Sequence, residues 1–179
     1  MDPTTYTNQP VALAALPDIR ELETVPISPR YRILNLLTWA AIMLGLCLIL
    51  SALRFQPWFT PPEPFILAYP VAIGIIISVG LVNLVYHWLA DPLIRYAVRE
   101  QDLVLQRGLF FRVLVCQPIL RVQHIELKRG PLERLAGLAR LQVFSAGGSA
   151  HTFEVPGLTP RRAAQLRQFI LDHKELDAR

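Results

Sequence analysis

Two long apolar stretches decide the fold: residues 33–53 read ILNLLTWAAIMLGLCLILSAL, and residues 65–90 read FILAYPVAIGIIISVGLVNLVYHWLA. Neither stretch contains Asp, Glu, Lys or Arg. An α-helix rises about 1.5 Å per residue, so the shorter stretch reaches about 31 Å, close to the thickness of a bilayer's hydrocarbon core. Helices of soluble proteins rarely stay apolar on every face over this length. The sequence therefore predicts two membrane-spanning helices rather than a buried helical pair.

The segment between the two stretches, residues 54–64, is short and contains four prolines. Such a link cannot hold a domain, so the two helices must be antiparallel neighbours. Trp58 and Phe59 lie at one predicted membrane boundary, and Tyr86 and Trp88 lie at the other, where interfacial aromatic residues are enriched. The pattern indicates a two-helix transmembrane hairpin within residues 30–92.

Basic residues flank the hairpin unequally. Arg30 and Arg32 precede it and Arg95 and Arg99 follow it, whereas Arg54 alone lies in the link. Cytoplasmic loops carry the excess of Lys and Arg, so this bias places both termini in the cytoplasm. We therefore expect a two-span protein of the inner (plasma) membrane.

The N-terminal segment, residues 1–29, does not resemble a signal peptide. It contains five prolines and four acidic residues, and no basic region precedes an apolar core. We expect a flexible, proline-rich cytoplasmic tail.

Three residues with amide or imidazole side chains occur within the apolar stretches, namely Asn35, Asn83 and His87. Each lies within about two helical turns of a span's end, where interfacial placement or hydrogen bonding between helices is expected. A transport pathway would favour charged groups inside the membrane. The hairpin is therefore interpreted as an anchor.

Residues 93–179 read as a small soluble domain. Pro92 disfavours helical geometry at Asp91, which ends the second helix, and no flexible linker follows. The domain must therefore lie against the membrane surface. Short alternations of apolar and polar residues up to residue 158 predict a succession of strands, with a hairpin turn at Gly147–Gly148.

Two segments of this domain depart from simple alternation. In residues 109–117, apolar residues occupy both odd and even positions, with Arg112 as an exception, so both faces of a strand here would be apolar. This pattern predicts a strand that is buried on both faces or has one face on lipid. In residues 119–128 the period of two slips by one residue around Gln123–His124. The slip predicts a β-bulge or a corner between two sheets.

Helical signals follow. Residues 130–137 predict a short helical turn between proline and glycine, and Thr159 with Pro160 predicts the start of a final helix. Arg161 and Arg162 lie in its first turn, where the helix dipole disfavours each positive charge by about 0.3–1 kcal/mol. A surface that binds anions would explain this cost, and so would drift on a solvated helix.

Several short motifs then form a recognisable series: VLQRGLF at 104–110, PILRVQH at 118–124, GPLER at 130–134, GL at 137–138, SAGG at 145–148 and PGL at 156–158. From residue 33 to 176 the chain resembles the bacterial pleckstrin-homology-like (PH-like) domain proteins of the membrane-anchored YdbS type. The resemblance implies an α+β membrane protein, a transmembrane hairpin followed by a PH-like β-sandwich or partly open barrel of about seven strands, capped by a C-terminal helix. It implies no known activity. It suggests a protein partner, such as a larger membrane protein with several PH-like domains.

Residues 95–167 contain 12 Lys or Arg and 5 Asp or Glu. A basic surface beside the inner leaflet attracts anionic lipid by about 1 kcal/mol per nearby charge, although unselective positive-inside charge would produce the same surplus. His124 could pair with Glu126 or Glu133 at the predicted bulge. The candidate interaction or lipid-headgroup face comprises Arg107, Arg112, Arg121, Gln123, His124, Lys128, Arg129 and Arg134.

The sequence lacks the usual signatures of catalysis. It has no glycine-rich phosphate loop, cysteine pair, HExxH or GxSxG motif, and its four histidines are scattered. We therefore expect no catalytic, metal or cofactor site. The leading hypothesis is a membrane-anchored module that binds a protein partner or assembles with itself. Recognition of anionic phospholipid headgroups is the alternative, an envelope enzyme is a remote third, and a nucleic-acid partner is not expected.

Overall fold

The computed structural model describes residues 22–145 and 152–176. Two antiparallel helices, α1 (Pro29–Phe55) and α2 (Glu63–Ala90), precede the soluble domain. Both helices are longer than the apolar stretches, because prolines occupy their first turns without breaking them. The α1 helix of 27 residues reaches about 40 Å, which exceeds a hydrocarbon core of about 30 Å.

The hairpin is closely packed on its inner side and apolar on its outer side. Gly80 of α2 lies against Met43 of α1, so that an added Cβ atom would overlap the thioether. Near the link, Ser51 and Tyr69 share a hydrogen bond of 3.0 Å. No residue of α1 is buried, and in α2 only Gly80 and Ala90 are. Such an exposed apolar surface is typical of helices that contact lipid.

The soluble domain contains two antiparallel sheets. The first sheet has the order β1-β2-β3-β4 and comprises β1 (Val25–Pro26), β2 (Arg95–Val98), β3 (Asp102–Arg107) and β4 (Val113–Pro118). The second has the order β5-β6-β7 and comprises β5 (Val122–Lys128), β6 (Ala139–Ser145) and β7 (Thr152–Leu158). The short helix α3 (Pro131–Leu135) follows β5, and α4 (Pro160–Leu176) follows β7.

The core lies between the two sheets and α4. Its fully buried members include Leu141 and Val143 of β6 and Ile170 of α4. Thr159 accepts a hydrogen bond from the backbone N–H of Arg162 at 3.3 Å, as the predicted cap requires. The α+β architecture of a hairpin, seven strands and a closing helix is confirmed.

The predicted tail was wrong in its last residues. Val25 and Pro26 pair with Tyr96 and Arg95 of β2, and the side chain of Ile27 is buried in the core. A strand of two residues containing proline has no detectable alternation, so the sequence pattern could not reveal it. Residues 1–21 lie outside the described residues, as does the turn predicted at Gly147–Gly148.

The expectation for residues 109–117 also needs correction. Residues 109–112 form the turn between β3 and β4, and β4 itself is largely exposed, which contradicts burial on both faces and leaves the alternative of one face on lipid as a prediction. The predicted irregularity near Gln123 is confirmed, because the register between β5 and β6 shifts between Val122 and His124.

The register of the strands defines two ends of the domain. The junction end is the one at which the chain leaves α2 and enters β2 at Arg95, which pairs with Gln106 near the end of β3. The six residues of β3 reach about 20 Å, so the turn before Asp102 lies at the opposite, distal end. The β3–β4 turn belongs to the junction end.

Candidate membrane-binding site

A polar network joins the two helices of the hairpin at the end that adjoins the soluble domain. The Asn35 amide donates to Asp91 at 2.9 Å, and the Trp39 indole N–H donates to His87 Nε2 at 3.0 Å. The other ring nitrogen of His87 lies 3.0 Å from an Asp91 oxygen. The polar residues noted at the ends of the spans therefore bond across the helices, except Asn83, whose amide donates to Val79 of its own helix.

Strand β7 meets the start of α1 in close contact. The backbone N–H of Ser28 donates to the Gly157 carbonyl at 2.9 Å. Gly157 has φ +65°, and an added Cβ atom would lie 2.8 Å from Tyr31 Cβ. Only glycine accommodates both the left-handed backbone and this approach without strain. The hairpin and the domain are therefore packed together rather than loosely tethered.

The β3–β4 turn presents aromatic side chains at the junction end. Phe110 and Phe111 are 84% and 86% exposed, and Gly108 enters the turn with φ +111°. Arg107 and Arg112 flank the two phenylalanines and are exposed. Two adjacent bulky aromatic residues this exposed are unusual on a surface that faces water.

Helix α3 presents a second apolar group at the same end. Leu132 and Leu135 are 50% and 86% exposed, and they line a groove of about 700 Å³ with Ile33, Leu37 and other residues of α1. Because α1 passes along this groove, α3 lies beside the first turns of the hairpin. We call Arg107, Phe110, Phe111, Arg112, Leu132, Arg134 and Leu135 together the rim.

A buried carboxylate holds α3 in position. The Glu133 carboxylate accepts a hydrogen bond from the Gly130 N–H at 2.7 Å, and it forms an ion pair with Arg140 at 2.6 Å. Arg140 also pairs with Glu154 of β7 at 3.2 Å. The hydrogen bond with Glu133 raises the pKa of the Arg140 guanidinium above its ordinary value. The exposed leucines of α3 are therefore presented by a rigid support.

The structure divides the eight residues predicted for the interaction face. Strand β5 begins at the distal end and ends beside α3, so its seven residues separate the two groups by about 20 Å. The distal group comprises Arg121, Gln123 and His124. The junction group comprises Arg107, Arg112, Lys128, Arg129 and Arg134. The eight residues therefore do not form one continuous face.

Some of these residues already have intramolecular partners. Lys128 pairs with Glu126 at 2.8 Å, and the hydrogen bond between them lowers the pKa of the Glu126 carboxyl. His124 contacts the same carboxylate at 3.2 Å, and Arg129 donates to the Leu138 carbonyl at 3.1 Å. Among the described residues, Arg107, Arg112 and Arg134 have no acidic partner. The rim arginines are thus available to an external anion.

Sequence reasoning identified the arginines of the rim but not its apolar side chains. The sequence signal for the apolar side chains of the β3–β4 turn is the run of consecutive apolar residues within 109–112. The same run is also typical of a strand, which is the structure that we predicted from it. Within the described ranges, no group of three His, Cys, Asp or Glu residues is arranged to hold a metal ion.

Comparisons with known proteins agree with this architecture. The family model described as bacterial PH domain matches residues 63–174. The chain is 32% identical over 100 residues to the UPF0699 transmembrane protein YdbS of Bacillus subtilis (strain 168), across 55% of this chain and 57% of that protein. It is 30% identical over 96 residues to the UPF0699 transmembrane protein YdbT of the same organism, across 49% of this chain and 20% of that protein.

No solved structure matches the chain significantly. The family match covers more than half of the chain and includes α2 together with all strands from β2 to β7. With its two long apolar helices and these transmembrane relatives, the chain belongs to the bacterial PH domain family, as a membrane protein of the YdbS type.

Proposed function

We propose that this chain is a membrane-anchored interaction module whose PH-like domain docks on the cytoplasmic leaflet through its rim. The observation that carries the proposal is the exposure of Phe110, Phe111 and Leu135, which are 84%, 86% and 86% exposed at the end of the domain that adjoins the spans. The protein leaves most of the surface of these side chains uncovered, and adjacent lipid would bury it.

The energetics favour docking. Burying a phenylalanine or leucine side chain is worth about 1.5–3 kcal/mol, and three partly inserted side chains exceed the thermal energy severalfold. Arg107, Arg112 and Arg134 lie beside them and contribute about 1 kcal/mol each near an anionic leaflet. Their aliphatic stems cover apolar surface while the guanidinium groups remain at the phosphate level. The hairpin removes the entropic cost of bringing the domain to the membrane.

The same arginines support the proposed topology. Arg30 and Arg32 begin α1 and the rim arginines lie beside them, whereas the link between the spans has Arg54 alone. By the positive-inside rule, this bias supports a cytoplasmic location for the domain and both termini.

The protein-partner function is assigned to the distal end. A docked rim leaves Arg121, Gln123 and His124 facing away from the membrane, and Leu120 beside them is 62% exposed. The register shift in β5 holds Gln123 and His124 outward. We propose that this surface receives a second PH-like domain, from another membrane protein or from a second copy of this chain.

Hydrogen exchange on the full chain in nanodiscs tests the docking. In discs containing phosphatidylglycerol, residues 107–113 and 131–136 are expected to exchange more slowly than in discs of phosphatidylcholine alone. Residues 119–124 at the distal end serve as the internal control and should not change. Equal exchange of the rim in both discs, at the rate seen in detergent, would contradict docking by anionic lipid.

Photocrosslinking in living cells tests the partner function separately. A photoreactive residue at Arg121 or His124 should capture a protein that contains a PH-like domain, whereas one at Phe111 should capture lipid. Capture of no protein from either distal position would remove the partner function while leaving the docking proposal intact.

A further inference from the structure

A second feature of the junction end has no part in the rim. A cavity of about 530 Å³ lies where the start of α1, the end of α2 and the start of α4 meet. Its walls are mainly apolar, with Pro26, Ile27, Tyr96 and Leu158 among the lining residues. This volume is within the range of sites that bind small organic ligands.

Two arginines line this cavity from elements distant in sequence, Arg32 from α1 and Arg162 from α4. The Arg32 guanidinium lies 4.6 Å from the ring centroid of Trp88, and Arg162 Nε donates to the Tyr96 hydroxyl at 3.2 Å. Neither guanidinium forms an ion pair with a described carboxylate. Both are held in place while retaining free donors, as a preorganised phosphate site requires.

Asp91 also lines the cavity, and its negative charge would oppose an anion. Its two oxygens are already occupied by Asn35 and His87, at 2.9 Å and 3.0 Å, and the residue is buried. These donors direct the carboxylate toward the helices. The two arginines therefore dominate the field in the open part of the cavity.

The depth of the cavity matches that of lipid phosphates. Arg32 is in the first turn of α1, and Trp88 is in the last turn of α2, the position of interfacial aromatic residues. Because α1 is about 10 Å longer than a hydrocarbon core, its ends extend into the headgroup region. A ligand of mixed character, with an anionic phosphate and an apolar portion, fits both the walls and the position.

We infer that this cavity binds the phosphate of an anionic phospholipid, with Arg32 and Arg162 as its two ligands. The inference deepens the proposed function and rests on it only in placing the junction end at the leaflet, since the cavity shares no residue with the rim. One specifically bound lipid would then connect α1 to α4 across the junction.

Native mass spectrometry of the full chain tests this site. Delipidated protein in mild detergent is titrated with short-chain phosphatidylglycerol, short-chain phosphatidylcholine or inorganic phosphate. We expect one phosphatidylglycerol per chain, bound at least tenfold more tightly than phosphatidylcholine. The double variant Arg32→Gln/Arg162→Gln should weaken binding by about tenfold or more, since each arginine donates charge-assisted hydrogen bonds. The matched variant Arg99→Gln/Arg167→Gln, which removes two exposed arginines that lie in neither the cavity nor the rim, should bind as the wild type does.

The remaining outcomes are also decisive. Arg32→Lys/Arg162→Lys keeps the charge, should retain most of the affinity, and replaces the glutamine variant if that one does not fold. Tight binding of inorganic phosphate that the glutamine variant loses would support the same arginines with a free anion as their ligand. Equal loss in both glutamine variants, or equal binding of both lipids, would overturn the site. Hydrogen exchange can contradict docking of the rim while the titration still shows specific binding of phosphatidylglycerol at the cavity. The two proposals can therefore be tested separately.

Discussion

The junction and distal ends of the PH-like domain are built from the same two sheets. They differ in how many of their charged side chains form ion pairs and in how much apolar surface they expose. At the distal end Arg99 pairs with Asp102 at 2.7 Å, and the nearby His124 contacts Glu126. At the junction end the rim arginines have no acidic partner among the described residues, and Phe110 and Phe111 have almost no protein contact.

This difference indicates that the side chains of the junction end need a partner outside the protein, for both their positive charges and their apolar surface. On a protein surface that is exposed to water, most charged groups are paired or solvated, and large apolar side chains are mostly covered. The distal end approaches that condition, with Leu120 and Arg121 as exceptions. The junction end does not, and in the proposed arrangement the helical hairpin keeps it beside a leaflet that supplies both acyl chains and phosphates.

The largest expected effect comes from removing the aromatic part of the rim. Phe110→Ser/Phe111→Ser should weaken docking by about 3 kcal/mol, roughly a hundredfold, because two partly inserted aromatic side chains are lost. The rate of amide hydrogen exchange of residues 107–113, in nanodiscs containing phosphatidylglycerol, measures this loss of docking. The matched distal variant Leu120→Ser should leave this exchange unchanged, and a similar response to both variants would erase the distinction between the ends.

Next in size is the close contact between β7 and α1. Gly157→Ala should destabilise the packing of domain and hairpin by about 2–3 kcal/mol, because alanine disfavours φ +65° and its Cβ atom would press on Tyr31. Thermal unfolding in detergent measures the loss. Gly130→Ala is the control, since Gly130 has negative φ and more space; equal destabilisation would mean that the junction is not tightly packed.

Removing the support of α3 should have a smaller effect. Glu133→Ala deletes the contacts with Gly130 and Arg140 and should cost about 1–2 kcal/mol, less than a fully buried pair, since Arg140 is partly exposed and keeps Glu154. Faster exchange confined to residues 131–136 would place the loss at the rim. Glu154→Gln should not accelerate exchange there.

The smallest effect concerns the exposed pair between the two ends. The Lys128 hydrogen bond lowers the pKa of Glu126, so its contribution to stability is present above the ordinary pKa of 4.5 and is lost as the pH falls through the lowered value. Lys128→Ala should raise this pKa toward 4.5, as an NMR titration of the Glu126 carboxyl would detect. His124→Ala should raise it less, and the reverse order would contradict the assigned cause.

The helical hairpin could be predicted from the sequence because uncharged apolar stretches of this length have few alternatives. Alternation revealed the strands, and its slip at Gln123 revealed the irregularity in β5, because both are local properties. Strand β1 could not be predicted, since two residues that include Pro26 have no period.

The two proposed binding surfaces could not be predicted from local sequence patterns, for another reason. Which charges share an end depends on strand register and direction, so Arg121 and Arg134 appear near each other in sequence but lie at different ends. Arg32 and Arg162 are 130 positions apart in sequence and meet only because β7 returns to the start of α1. No spacing rule connects them.

Depth-dependent quenching tests the central claim most directly. The full chain, with Cys47 and Cys116 replaced by alanine, carries one fluorescent label at Phe111→Cys, Leu135→Cys or Gln123→Cys in nanodiscs containing phosphatidylglycerol with lipid-attached quenchers. We predict strong quenching at positions 111 and 135, deepest near the upper acyl chain, and little at 123. Equal and weak quenching at all three positions would contradict docking of the junction end on the membrane.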